Sequence, residues 1–108
     1  MKIDSKNYGV LPSGEAVTEY TLQNAGLMLK AITYGGIITE LHTTDRFGNI
    51  EDIVLGLPDL EAYLAGHPWL GAMVGRVAGR ISAGTFRLDG ATIQLEVNDP
   101  PQSPPRGN

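Results

Sequence analysis

The feature that most constrains the fold of this chain is a succession of short, strand-like runs, each closed by turn-forming residues. Residues 15–22 alternate in side-chain character and contain β-branched residues, which is typical of a half-buried strand. Turn residues follow at 23–26, and two further runs cover 27–33 and 37–43. Strands joined by such short turns pair antiparallel, because a parallel pair needs a crossover of about a dozen residues or more. The sequence therefore predicts an antiparallel meander.

The second half of the chain continues the pattern. Residues 50–55 read as a strand with a buried apolar end, and residues 58–64 as a short helix, with a proline and two acidic residues suited to its N-terminus. An Asp-Gly pair between the runs 84–88 and 91–95 is a strong hairpin signal. The fold class predicted is all-β, an antiparallel β-sandwich with little helix.

Composition excludes several classes of function. The chain has 108 residues with a formal net charge of −4 and no basic stripe, which argues against a nucleic-acid partner. It has no cysteine, which excludes disulfides, thiolate zinc sites and a cysteine nucleophile. No run approaches the roughly 20 apolar residues needed to span a membrane, and no secretory signal is visible at the start. We expect a soluble, cytoplasmic protein without a membrane partner.

The last ten residues differ from the rest. Residues 99–108 hold four of the seven prolines, and proline lacks the N–H group that a strand ladder requires. We expect residues 1–98 to form the β-domain, and the tail to be disordered or extended.

Few side chains stand out for chemistry. His42 falls near a strand end and His67 in a loop beside an aromatic residue; since they are not at ligand spacing, we predict no metal site. Paired carboxylates could serve in acid–base work, but each candidate sits where a turn, a strand start or a helix N-terminus explains it. Those candidates are Asp45, Asp52, Asp59 and Glu61.

The segment 75–80 is the most informative, because it places two arginines among glycines. The planar guanidinium of Arg76 or Arg80 offers five donors in a fixed fork, suited to ring oxygens and hydroxyls or to carboxylates. The alternative is that both arginines are buried against acidic partners elsewhere in the fold. A phosphate loop is not indicated, because no Lys-Ser or Lys-Thr follows.

The order of these pieces resembles the aldose 1-epimerase family from about residue 20 to residue 98. The match includes Thr33-Tyr-Gly-Gly-Ile-Ile38, Asp52-Ile-Val-Leu-Gly56 and Gly71-Ala-x-Val-Gly-Arg-Val-Ala-x-Arg-Ile81. The resemblance implies a large β-sandwich that interconverts the α and β anomers of hexoses such as galactose and glucose. It further implies a glutamate base at the anomeric hydroxyl, a histidine acid at the ring oxygen, and no metal or organic cofactor.

Two departures from the family pattern affect the site. Where the family usually has Asn-Arg, this chain has Gly79-Arg80. The resemblance makes Arg80 a substrate-binding residue, while Gly79 occupies the Asn position without a side chain. The family's catalytic histidine and glutamate are expected beyond Asn108, so no catalytic residue is assigned here and we expect the 108 residues to be an inactive fragment.

The family continues beyond the position of Asn98 with Asn-His-Leu-His-Gly-Gly, whereas this chain reads Pro-Pro-Gln-Ser-Pro-Pro-Arg-Gly over residues 100–107. One extra base in the proline codons converts plausible codons for the family motif into Gln-Ser-Pro-Pro-Arg-Gly. We therefore expect the tail from Gln102 to be a frame-shifted reading. A naturally proline-rich terminus is the alternative.

Two other functions are compatible with the sequence. One is a small carbohydrate-binding β-sandwich module without catalysis, in which Arg80, Trp69 and Tyr63 form a sugar platform. The other is a structural or partner-binding β-domain. The single tryptophan and the lack of a repeated aromatic stripe count against the platform.

Overall fold

The computed structural model describes residues 1–97. The expectations for Asn98 and for the tail 99–108 concern residues outside that range. The described residues divide into two compact units, one from Met1 to Met73 and one that begins at Val74.

The first unit is built on a five-stranded antiparallel sheet whose strands follow one another in sequence order. The predicted meander is thus confirmed, with the Ala25-Gly26 turn joining two strands in register at Asn24 and Leu27. One strand was not predicted: the first, whose apolar residues do not alternate regularly. The strands are β1 (Lys2–Val10), β2 (Ala16–Asn24), β3 (Leu27–Ile32), β4 (Ile38–Thr44) and β5 (Ile50–Asp52).

The predicted strand over 50–55 is shorter than expected, and its apolar end is not buried. β5 ends at Asp52, and Ile53 and Leu55 are 63% and 74% exposed. The reason is local. Oδ1 of Asp52 accepts hydrogen bonds from the N–H groups of Leu41 and Val54. The N–H of Leu41 is thus paired with a side chain, and only the hydrogen bond from the N–H of Ile53 to the Leu41 carbonyl continues the backbone pairing. The prediction of a buried end was wrong.

The predicted helix is confirmed as α1 (Leu60–Leu64). Asp59 is its N-cap, and its side chain accepts a hydrogen bond of 2.8 Å from the N–H of Ala62. Such a cap satisfies a backbone donor that has no partner within the helix. The helix turns Leu60 and Tyr63 inward, and both are buried.

The core of the first unit is small and lies where α1 and its flanking loops cover one end of the sheet. Tyr63, only 2% exposed, contributes most to it. Its hydroxyl accepts a 3.0 Å hydrogen bond from the N–H of Leu57, and its ring meets that of His67 edge-on at 5.2 Å. The other buried apolar residues are Val17, Ile32, Ile37 and Leu60.

The strand register separates two faces of the sheet away from this core. The charged face carries Lys6, Glu19, Lys30, Glu40, His42 and Asp52. The apolar face carries Ile3, Tyr20, Leu22, Leu27, Leu29 and Leu41. Ile3 and Leu27 on that face remain 57% and 51% exposed. Ile32 of the core is the register partner of Glu19, so the core covers one end of the charged face. An apolar face on the other side is the pattern of a sheet that belongs to a sandwich.

In the second unit, the predicted hairpin around Asp89-Gly90 is confirmed. It joins β6 (Thr85–Leu88) and β7 (Ala91–Gln94). Both turn residues have positive φ, 49° and 80°, as a tight two-residue hairpin turn requires. A 3₁₀ turn at Ser82–Gly84 precedes the hairpin.

Two glycines in the loops around α1 lie directly on the backbone of β4. A Cβ added at Gly71 would overlap the carbonyl oxygen of Ile38, and one at Gly56 would overlap that of Thr39. At Gly71 the approach is fixed by a hydrogen bond of 2.9 Å from the N–H of Ile38 to the Gly71 carbonyl. Only glycine permits such close approach of two backbones.

We expect Gly71→Ala to destabilise the first unit more than Gly14→Ala. Both glycines have positive φ, +64° and +89°, but no atom lies within 4 Å of the Cβ position at Gly14. Gly14→Ala should cost about 1 kcal/mol in the free energy of unfolding. Gly71→Ala should cost about 1–3 kcal/mol more, because the methyl group forces the loop off β4. Urea unfolding of both variants measures this, and equal losses would contradict the close approach.

Candidate functional site

The segment that the sequence singled out, 75–80, is exposed throughout in the second unit. Arg76 and Arg80 are both exposed rather than buried, so the alternative of two buried arginines is not adopted. Gly79 has φ +100° and no atom within 4 Å of the position of a Cβ. The backbone before Arg80 therefore takes a conformation that suits glycine, with open space on its Cβ side.

The proposed aromatic sugar platform does not form as expected. Tyr63 is a core residue, buried to 2% exposure, so its ring is not available for stacking. Trp69 is 82% exposed. His67 serves the loop: its Nδ1 accepts a 2.9 Å hydrogen bond from the N–H of Leu70. The platform built on Tyr63 was wrong, because the 3.6-residue helical period places Tyr63 beside Leu60 on the buried side of α1.

The turn and cap carboxylates have the structural roles expected of them. Asp45 accepts hydrogen bonds from the N–H groups of Phe47 and Asn49 and from the Asn49 side chain. The Asn49 side-chain hydrogen bond, more than any other contact, lowers the pKa of Asp45 below its usual value. Asp59 caps α1, and Glu61 lies in the first turn of the same helix. These groups hold local structure.

A cluster of charged residues that was not predicted lies on the charged face, across three adjacent strands. Lys30 on β3 donates to Oε1 of Glu40 on β4 at 2.8 Å. Oε2 of Glu40 lies 2.8 Å from Nε2 of His42. Asp52 on β5 is the register partner of His42. Candidate ligand atoms of Glu40, His42 and Asp52 all lie within 4.8 Å of one another.

The cluster shifts the acidity of its carboxyl groups. The hydrogen bond from Lys30 is the main cause that lowers the pKa of Glu40, with His42 adding to it against the effect of partial burial. Hydrogen bonds from two backbone N–H groups lower the pKa of Asp52, that of Leu41 more than that of Val54. Both side chains are therefore ionised at neutral pH.

Part of this cluster could have been found from the sequence. Glu40 and His42 are two residues apart on a predicted strand, and such residues share a face. The contributions of Lys30 and Asp52 depend on strand register, including the irregularity between Lys30 and Ala31. Register is a property of the assembled sheet, so the sequence alone did not reveal it.

Comparison with known proteins identifies the family. The model of the aldose 1-epimerase family matches residues 18–106. The chain belongs to the aldose 1-epimerase family. The resemblance inferred from motif order is thus confirmed, and the match extends on both sides of the range 20–98.

The similar proteins are mutarotases and epimerases. The chain is 46% identical over 97 residues to galactose mutarotase from Sus scrofa and 44% identical to that from Homo sapiens, covering 89% of this chain in each case. It is 33% identical over 104 residues to maltose epimerase from Levilactobacillus brevis, covering 95% of this chain and 30% of that protein.

A solved structure supports the fold. The crystal structure of galactose 1-epimerase from Lactobacillus acidophilus matches with a TM-score of 0.67 at 31% identity, covering 91% of this chain and 28% of that one. The predicted all-β sandwich class is confirmed by this match and by the antiparallel sheets.

The similarity concerns part of the family's length. The chain spans 28% of the length of both the Sus scrofa and Homo sapiens mutarotases. Within the described residues, no helix has the length and apolar character that a membrane crossing requires.

We expect Lys30→Gln to lower stability in a pH-dependent way. The lost ion pair should cost about 1 kcal/mol in the free energy of unfolding at neutral pH. Because the folded state lowers the pKa of Glu40, this contribution is fully present above the usual pKa of 4.5 and is lost as the pH falls through the lowered value. Urea unfolding at neutral and acid pH measures the difference between variant and parent.

The matched control is Lys2→Gln. Lys2 also lies 2.8 Å from a carboxylate, that of Asp4, but the two side chains are 71% and 57% exposed. A comparable loss in both variants, or a loss in Lys30→Gln that persists at acid pH, would contradict the role given to the Lys30–Glu40 pair.

Proposed function

We propose that this chain is the N-terminal part, residues 1–98, of an aldose 1-epimerase that interconverts the α and β anomers of hexoses. The observation that carries the proposal is the family match over residues 18–106, which includes the segment with Gly79 and Arg80. The proposed substrates are galactose and glucose. Galactose is favoured over maltose because identity to the Sus scrofa galactose mutarotase, 46%, exceeds the 33% identity to maltose epimerase.

Arg80 is proposed to bind the sugar hydroxyls. A guanidinium is always charged, has donors and no acceptor, and holds its donors in one plane. Two neighbouring equatorial hydroxyl oxygens can accept from such a fork. The exposure of Arg80 makes it accessible to a ligand. Gly79, in the position where the family usually has Asn, offers the sugar only its backbone.

The part of the mechanism assigned to this chain is binding and orientation. Mutarotation requires a base at the anomeric hydroxyl and an acid at the ring oxygen, each worth typically about 10² to 10⁴ in rate. The family resemblance places both groups beyond Asn108. A sugar held by Arg80 keeps a fixed position while the ring opens, the C1 group rotates and the ring closes again. The tail 99–108 has no role in this proposal.

We expect the 108-residue polypeptide by itself not to accelerate mutarotation, because it lacks the proposed acid and base. Polarimetry of freshly dissolved α-galactose, with and without the polypeptide, measures the rate. Human galactose mutarotase is the positive control. A rate above that of buffer which scales with polypeptide concentration would overturn the assignment of the catalytic groups.

In a chimaera that joins residues 1–97 to the remainder of a galactose mutarotase, we expect Arg80→Ala to lower kcat/KM roughly 10- to 150-fold. That range corresponds to the loss of one charged hydrogen bond of about 1.5–3 kcal/mol. The control is Arg87→Ala, which removes the same charge from an exposed residue of β6 whose guanidinium contacts the Gly90 carbonyl at 3.4 Å. Equal activity in the two folded variants would show that Arg80 does not contact the sugar.

A further inference from the structure

We propose that Glu40, His42 and Asp52 form a binding site for a divalent transition-metal ion of the Zn²⁺ type. The proposal does not rest on the proposed sugar site, because none of its three residues belongs to the segment with Gly79 and Arg80. Imidazole nitrogen together with carboxylate oxygen is a common ligand set for Zn²⁺ in proteins.

The separations of the three groups suit a single ion. Nε2 of His42 and Oε2 of Glu40 are joined by a hydrogen bond of 2.8 Å, and an ion would replace the proton between them. Two ligand atoms bonded at about 2.0–2.2 Å to one tetrahedral ion are separated by roughly 3.3–3.6 Å, so these two side chains need to separate only slightly. The ligand atom of Asp52 lies within 4.8 Å of both. Binding all three groups to one ion would draw Asp52 and His42, which are register partners on β5 and β4, closer together.

Both carboxylates are already oriented by contacts at one oxygen. Oε1 of Glu40 accepts from Lys30, which leaves Oε2 directed at His42. Oδ1 of Asp52 accepts from the backbone of Leu41 and Val54, so its second oxygen is the one offered to an ion. Metal ligands characteristically have outer partners of this kind, which fix their orientation before the ion binds.

Charge and access favour a cation. Two carboxylates and one ammonium group give the cluster a net negative charge when His42 is neutral. The side chains of Glu40 and His42 are 34% and 27% exposed, so water and an ion can reach them. Three protein ligands leave at least one coordination position for water.

The site lies where the five-stranded sheet is paired over the fewest residues. β5 is three residues long, and all three are exposed. It pairs with β4 through three residues, one of which is the Asp52–His42 pair. An ion held by Asp52 on β5 and by Glu40 and His42 on β4 would cross-link the two strands and stabilise the folded state by mass action.

The test uses the 108-residue chain and two metal probes. Zn²⁺ titration is followed by calorimetry and thermal unfolding, and Co²⁺ titration by visible absorption, which reports coordination geometry. We expect saturable one-to-one binding and a higher unfolding midpoint with Zn²⁺. Asp52→Asn, which keeps an oxygen for the two N–H donors but loses the charge, should weaken binding at least about tenfold.

The two histidines of the chain provide the decisive control. His42→Gln should abolish one-to-one binding, whereas His67→Gln should leave the affinity for Zn²⁺ unchanged. Binding that both substitutions weaken equally would reveal attachment to an unfolded chain and overturn the proposal. So would an unfolding midpoint that Zn²⁺ does not raise, or affinity unaffected by Asp52→Asn.

Discussion

The burial of Tyr63 is the constraint on which the first unit depends. The meander alone is an open sheet, and an open sheet needs a covering layer to bury an apolar core. Tyr63 attaches that layer. Its ring lies in the core and packs edge-to-face with the ring of His67, and its hydroxyl accepts a hydrogen bond from the N–H of Leu57. Gly56 and Gly71, which lie on the β4 backbone, allow the loops before and after α1 to approach closely enough for the ring to be enclosed.

Much of the fold could be predicted because its determinants are local. The Asp89-Gly90 turn, the Asp59 cap and the alternation along β2 each involve a few neighbouring residues, and all three are present in the structure. β1 was missed because its side chains are mostly exposed and carry little alternation. The end of β5 was misjudged because apolar composition does not reveal whether another segment covers it.

The candidate site residues also differ in how far the sequence alone could reveal them. Arg80 was predicted as a substrate contact from family resemblance, and that assignment stays a prediction. Tyr63 was misassigned as a sugar platform, since the side of α1 that packs on the sheet depends on tertiary structure. The cluster around His42 needed the register of three strands, and register arises from the whole sheet rather than from any one strand.

The sequence order of the five strands also bears on how the first unit assembles. Every strand pairs with its immediate predecessor or successor along the chain, so each pairing closes only a short loop. Closing a short loop costs little conformational entropy, and proteins with mostly local contacts fold quickly. During synthesis, each strand that leaves the ribosome can add to the edge formed by the one before it. The meander can thus grow strand by strand in the direction of translation.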